Sequence, residues 1–177
     1  MSAKELNYMT IEQFNTLDVD DTKIYELVNG LVMMSPRPST NHQMIMSEIH
    51  LAIGNYLKKS KCRVLTEIEI ELDDSVLVPD LFVFCKLESL GKQRYEGGPK
   101  LVIEILSPST AFNDMNLKLK LYEKHGVEEY WIVAPNAGTV TMYHFEQKLA
   151  QVIGPKETIE SIALQGLEIK LTDIFVG

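Results

Sequence analysis

Two apolar segments between Val76 and Leu106 constrain this chain more than any other feature, because each carries one carboxylate where a buried strand ordinarily carries none. The first reads Val76, Leu77, Val78, Pro79, Asp80, Leu81, Phe82, Val83, Phe84, and the second Leu101, Val102, Ile103, Glu104, Ile105, Leu106. An ionised carboxylate in apolar surroundings is costly unless it is paired, hydrogen-bonded or bound to a metal. Asp80 and Glu104 therefore need partners. A divalent cation held between two strand-borne carboxylates is one solution, since hard cations such as Mg²⁺ prefer oxygen ligands.

The rest of the chain predicts a setting for those strands. Thr10 and Gln13 stand at capping-box spacing for a short helix to about Leu17. Lys23 to Leu27, Asn29-Gly30 and Leu31 to Met34 read as a β-hairpin, broken by Ser35 to Pro38, because Asn-Gly supplies the positive φ angles of a tight turn. Apolar residues at Ile45, Ile49, Ile53, Tyr56 and Leu57 predict an amphipathic helix from His42 to about Lys59. Val64 to Leu72 alternates as one strand, with Glu67, Glu69 and Glu71 on its wet side. Gly91 to Lys100 reads as a loop, and Ser107 to Thr110 ends the Glu104 strand. A helix runs from about Asp114 to Gly126, strands follow at Glu129 to Ala134 and Thr139 to Phe145, and the tail holds one or two short strands and a last helical turn at Leu171 to Phe175. The expectation is a mixed α/β fold in a single domain over 1–177, with the N-terminal helix and hairpin, about 10–35, packed on the core and a parallel crossover between Leu101 and Val133.

Composition narrows the partners. No apolar run approaches the ~20 residues of a membrane span, and Met1 to Thr10 lacks a signal-peptide pattern, so the expected location is the cytoplasm. Cys62 and Cys85 lie far from any Cys-x-x-Cys spacing and read as reduced, packed thiols. The net charge of -8 means that any phosphate-binding surface is a local patch. The candidates are Lys58, Lys59, Lys61 and Arg63; Lys92, Arg94 and Lys100; and Lys118, Lys120 and Lys124. Taken alone, each cluster reads first as a solvated helix face or loop.

Two carboxylates on neighbouring strands with a nearby lysine are the components of metal-assisted phosphodiester hydrolysis, in which the metal lowers the pKa of a bound water and the amine offsets charge at phosphorus. Pro79-Asp80 and Glu104-Ile105-Leu106 match a Pro-Asp…(Asp/Glu)-x-Lys pattern except that Leu106 stands where the lysine belongs. On the following helix Lys118 lies about 40° from Tyr122 at ~100° per residue, beside the face of Met115 and Leu119. Its amine either reaches the sheet or pairs with Asp114 in solvent.

The run from Ile103 to Thr110, then Lys118, Tyr122, Gly126-Val127 and Glu129 to Val133, resembles the Uma-two family of restriction endonuclease-like proteins, within the PD-(D/E)XK nuclease superfamily. The resemblance extends upstream to Tyr25 to Gly30, Ser35-Pro36, His42 and Pro79-Asp80. It implies a restriction-endonuclease-like core, a central mixed β-sheet flanked by helices. It further implies a Mg²⁺- or Mn²⁺-dependent endonuclease that hydrolyses DNA, working as a homodimer. Asp80, Glu104 and the Ile105 backbone carbonyl would hold the metal, Glu26 would join the acidic site, and Lys118 would be the displaced motif lysine. His42 and Lys120 would contact substrate. The acidic charge keeps open a catalytically silent nucleic-acid-binding or assembly module of the same fold.

Overall fold

A computed structural model describes residues 8–91, 93–108 and 114–175, with nothing stated for the Asp114 side chain. The expectations placed on Lys92, Ser109, Thr110 and the Asp114 side chain lie outside the described residues. In chain order the elements are α1 (Ile11–Phe14), β1 (Lys23–Val28), β2 (Leu31–Pro36), α2 (Thr40–Leu57), β3 (Arg63–Thr66), β4 (Ile70–Leu72), β5 (Ser75–Leu77), β6 (Leu81–Phe84), β7 (Tyr95–Glu96) and β8 (Leu101–Ile105). A π-helical turn, Asp114–Lys118, leads into α3 (Leu119–Lys124). Then come β9 (Glu129–Ala134), β10 (Thr139–His144), β11 (Leu149–Ile153), β12 (Thr158–Glu160), β13 (Glu168–Lys170) and α4 (Leu171–Ile174).

The expected mixed α/β fold is present as two sheets in contact. One has the order β2-β1-β5-β4-β7, the other β11-β10-β9-β8-β6-β3, and β12 pairs with β13 separately. The β1–β2 hairpin turns at Asn29-Gly30, both at positive φ (49° and 79°), as that dipeptide demands. The parallel crossover is also present, since β8 pairs with β9 in parallel register, Glu104 opposite Ile132.

Parity along the six-stranded sheet decides which way each side chain points. Leu81, Val83, Leu101, Ile103, Ile105, Trp131 and Val133 share one cluster with Ile45, Ile49 and Ile53 of α2. Phe82, Phe84, Val102, Tyr130 and Ile132 pack on the other face with Leu121 and Tyr122 of α3 and with Val28, Ile70, Leu72 and Leu77 of the second sheet. Both faces are therefore buried, which is why β6 and β8 are apolar at successive positions. Glu104 has the parity of Val102, so its carboxylate enters the layer shared by α3 and β1.

Several expectations are corrected. The single strand over Val64 to Leu72 is two strands in different sheets, because Glu67 adopts a positive φ of 51° and turns the chain between them. In consequence Ile68, expected inside, is exposed. The strand expected to carry Asp80 likewise divides into β5 and β6, and Asp80 sits in the break, its carbonyl accepting from Glu67 N–H at 3.2 Å. The loop over 91–100 contains β7, and the tail holds three strands from Leu149 onward. Cys62 and Cys85, expected as separate thiols, form a disulfide. Arg63 pairs with Phe84 across β3 and β6, so one step further the register sets the two cysteines opposite each other, a consequence of pairing that their separation of 23 residues does not reveal.

Candidate active site

A cavity of about 490 Å³ is walled by β1, the chain from Ser35 into the first turn of α2, the Val78–Asp80 break, the end of β8 with Leu106 to Pro108, and Lys118, closed by Pro135-Asn136 after β9. It opens at the carboxyl end of β8 and the amino end of α2, where an 18-residue helix capped by Ser39 presents its first N–H groups.

One wall is a buried ionic cluster. Glu26, Glu104 and Lys118 are 7%, 4% and 3% exposed, so the amine points into the protein and not into solvent. Lys118 Nζ lies 2.9 Å from Glu26 Oε1 and 3.0 Å from Glu104 Oε1. Tyr122 donates its hydroxyl to the same Glu104 oxygen at 2.9 Å, and Val78 N–H donates to Glu26 Oε1 at 2.8 Å. Burial, then the neighbouring Glu104 charge, pushes the Tyr122 phenol well above its ordinary 10, so it stays a donor. The π turn ends at Lys118. Lys118 and Tyr122 therefore reach one oxygen from opposite sides of the junction between a wide turn and a regular one.

The second group surrounds Asp80. Leu81 pairs with Ile103, so one step further Asp80 stands opposite Glu104. Asp80 Oδ2 accepts from Ile105 N–H at 2.6 Å and lies 3.1 Å from His42 Nε2. The same His42 nitrogen lies 3.1 Å from the Ile105 carbonyl oxygen. Burial would lower the His42 pKa, but hydrogen bonding to Asp80 and its charge, with the Ile105 carbonyl and the Glu67 charge, leaves it above its ordinary 6.5. Among the described residues no three His, Cys, Asp or Glu side chains converge at metal-ligand spacing. A cation at this site would therefore draw on the Ile105 backbone oxygen as well as side chains.

With this geometry in view, comparison with known proteins is informative. Residues 11–172 match the Uma2 family, described as "Putative restriction endonuclease". The chain belongs to the Uma2 family. An uncharacterised protein of Synechocystis sp. (strain PCC 6803) is 26% identical over 124 residues, 68% of this chain, and the match spans 65% of that relative's length. A crystal structure from Anabaena variabilis ATCC 29413, described as "a putative nuclease belonging to DUF820", superposes with a TM-score of 0.82 at 23% identity, covering 94% of this chain and 97% of that one. At that identity the likeness speaks for the fold.

The site residues expected of a Uma2 protein are distributed unevenly. Glu26, His42, Asp80, Glu104 and Lys118 all line the one cavity, and the Ile105 carbonyl stands beside them through His42. Lys120 is exposed on α3 and does not line it. The other basic candidates are mostly compensated elsewhere: Arg94 by Glu69 and Glu71, Lys100 by Glu128, and Lys124 by Asp73. The cluster from Lys58 to Arg63 follows the far end of α2, about 25 Å from its amino end at 1.5 Å per residue. Trp131 and Tyr130 are fully buried and pack on opposite faces of the sheet. Two participants escaped notice in the sequence. Tyr122 was legible only as an apolar-face aromatic, and Arg37, on the cavity rim, lay hidden in a Pro-Arg-Pro break; its guanidinium donates to the Asp21 carbonyl. Among the described residues no helix is long and apolar enough to cross a membrane.

Proposed function

We propose that this Uma2 protein is a divalent-cation-dependent endonuclease that hydrolyses DNA phosphodiester bonds. The observation that carries the reading is Lys118, a buried amine bound to Glu26 and Glu104 in the wall of the cavity that Asp80 also lines. A buried lysine without catalytic use is a costly feature, since apolar residues of similar volume generally serve stability as well.

A divalent cation held by Asp80, Glu104 and the Ile105 carbonyl would polarise the phosphate and acidify a bound water. The chain's own residues do the rest. Val78 N–H fixes Glu26, and Glu26 with Glu104 fixes the Lys118 amine, so the positive charge stands ready where charge develops on the phosphate, at no cost of reorganisation. Tyr122 and Lys118 together hold Glu104 in its orientation. Ile105 N–H does the same for Asp80. The amino end of α2 and Arg37 supply positive potential at the rim, which a chain of net charge -8 needs locally to admit a polyanion. The superfamily resemblance implies a homodimer, so that two strands are cut.

The test is cleavage of supercoiled plasmid with Mg²⁺ or Mn²⁺. The expected result is nicking or linearisation that falls by about a hundredfold or more in Asp80→Asn and in Lys118→Met. Cation-dependent cleavage persisting in either variant would remove the residue from the mechanism. Wild-type protein that binds DNA and leaves it intact would establish the silent binding module instead. Sedimentation of the protein with a DNA duplex reads the dimer.

A further inference from the structure

The nuclease reading leaves His42 with only a contact to substrate, yet its ring is buried in the cavity wall with Nε2 set against Asp80 and the Ile105 carbonyl. We infer that His42 Nε2 is a direct ligand of the cation, completing a set of one imidazole nitrogen, the Asp80 carboxylate and the Ile105 carbonyl oxygen, and that this set selects Mn²⁺ and later first-row cations over Mg²⁺. The inference rests on the reading above for the presence of a cation, and not for the chemistry performed there.

Three observations carry it. His42 Nε2 is 3.1 Å from Asp80 Oδ2 and 3.1 Å from Ile105 O. Ligands at about 2.1 Å in neighbouring octahedral positions lie about 3.0 Å apart, so both separations already have the length of a coordination edge. Second, the arrangement sets two acceptors against one nitrogen. A single Nε2 proton divides between Asp80 and the carbonyl, whereas a cation in its place meets all three donors at once. Third, nothing fixes the tautomer from behind. Nδ1 is buried and has no hydrogen-bond partner among the described residues, so what faces Nε2 decides whether that nitrogen carries a proton or offers its lone pair.

The rest of the site agrees. Glu104 Oε1 is engaged by Lys118 and Tyr122, and Ile105 N–H holds Asp80, so both carboxylates stand oriented beside this set. His42 itself is anchored by the Ser39 hydroxyl, which accepts its backbone N–H. Replacing an oxygen ligand by imidazole favours the borderline-soft ions of the first transition row over hard Mg²⁺, in the order of their general affinities.

The experiment uses the full chain and two ions, MnCl₂ and MgCl₂. Titration calorimetry gives their affinities, and pulsed electron paramagnetic resonance of the Mn²⁺-loaded protein reads a directly coordinated nitrogen without any substitution. The expected result is ¹⁴N modulation in the wild type, its loss in His42→Gln, and at least a tenfold fall in the Mn²⁺ over Mg²⁺ preference of that variant. Circular dichroism checks that the variant is folded; the wild-type spectrum stands whether it is or not. Mn²⁺ bound without nitrogen modulation, or modulation that survives in folded His42→Gln, overturns the inference and leaves the nuclease reading untouched. Nitrogen modulation in a protein that cuts no DNA upholds the inference and removes that reading. Absence of Mn²⁺ binding overturns both.

Discussion

Lys118→Met tests whether the amine is the electrostatic keystone of the cavity wall. The substitution keeps an unbranched side chain of similar length but removes the charge, leaving Glu26 and Glu104 as neighbouring carboxylates that keep the Val78 N–H and the Tyr122 hydroxyl but lose the amine that bridged them. Removing one partner of a buried ion pair costs about 3–5 kcal/mol. A second route bounds the figure. The variant can protonate one glutamate, and with an ordinary pKa of about 4.3 that costs about 3.7 kcal/mol at pH 7 but only about 1 kcal/mol at pH 5. The expected loss is therefore about 3–4 kcal/mol at pH 7, shrinking by more than half at pH 5. Urea unfolding of wild type and variant at the two pH values measures it, and adding Glu104→Gln to Lys118→Met should recover much of the loss at pH 7. A pH 7 loss under about 1 kcal/mol, or one independent of pH, would refute the buried cluster.

Other outcomes follow from single residues. Because the folded His42 pKa is raised above 6.5, its contribution to the stability of the metal-free protein is fully present below that value and is lost as pH rises through the folded pKa. Comparing urea midpoints above and below neutrality should show that slope in the wild type and its absence in His42→Gln. Glu129, fully buried, accepts from Trp131 Nε1 on one oxygen and from Ile162 and Ala163 N–H, each at 2.8 Å, on the other. In Glu129→Gln one side of the amide faces donors, a loss of about 1–3 kcal/mol, and the emission of the one tryptophan should shift. Cys62→Ser should cost about 3 kcal/mol by chain entropy for a loop of this size; equal stability of wild type with and without reductant would count against the pairing.

How much was legible in advance differs from residue to residue, for physical reasons. The capping box at Thr10, the Asn29-Gly30 turn, the α2 stripe and the apolar β8 were readable because each depends on neighbours within about four positions. The break at Glu67 and the division at Asp80 were not, since a regular alternation continues across the first and an apolar run across the second, and only the demand of two sheets for separate strands turns the chain there. Lys118 stood between two readings. A helical wheel placed its amine near the sheet, but burial against Glu26, distant by most of the sequence, was settled by the packing of β1 on α3's face.

The sequence by itself determined that two carboxylates lie within apolar stretches of chain and therefore demand partners, because period, branching and the cost of a bare buried charge are local properties. Which partners answer that demand was decided only by tertiary structure. Strand parity turned Glu104 toward Lys118 and Tyr122, and the docking of α2 brought His42 against Asp80 and the Ile105 carbonyl. Pairings between residues 14 to 63 positions apart are fixed by the summed packing of the two sheets and the helices on them, a balance that no short stretch of chain encodes.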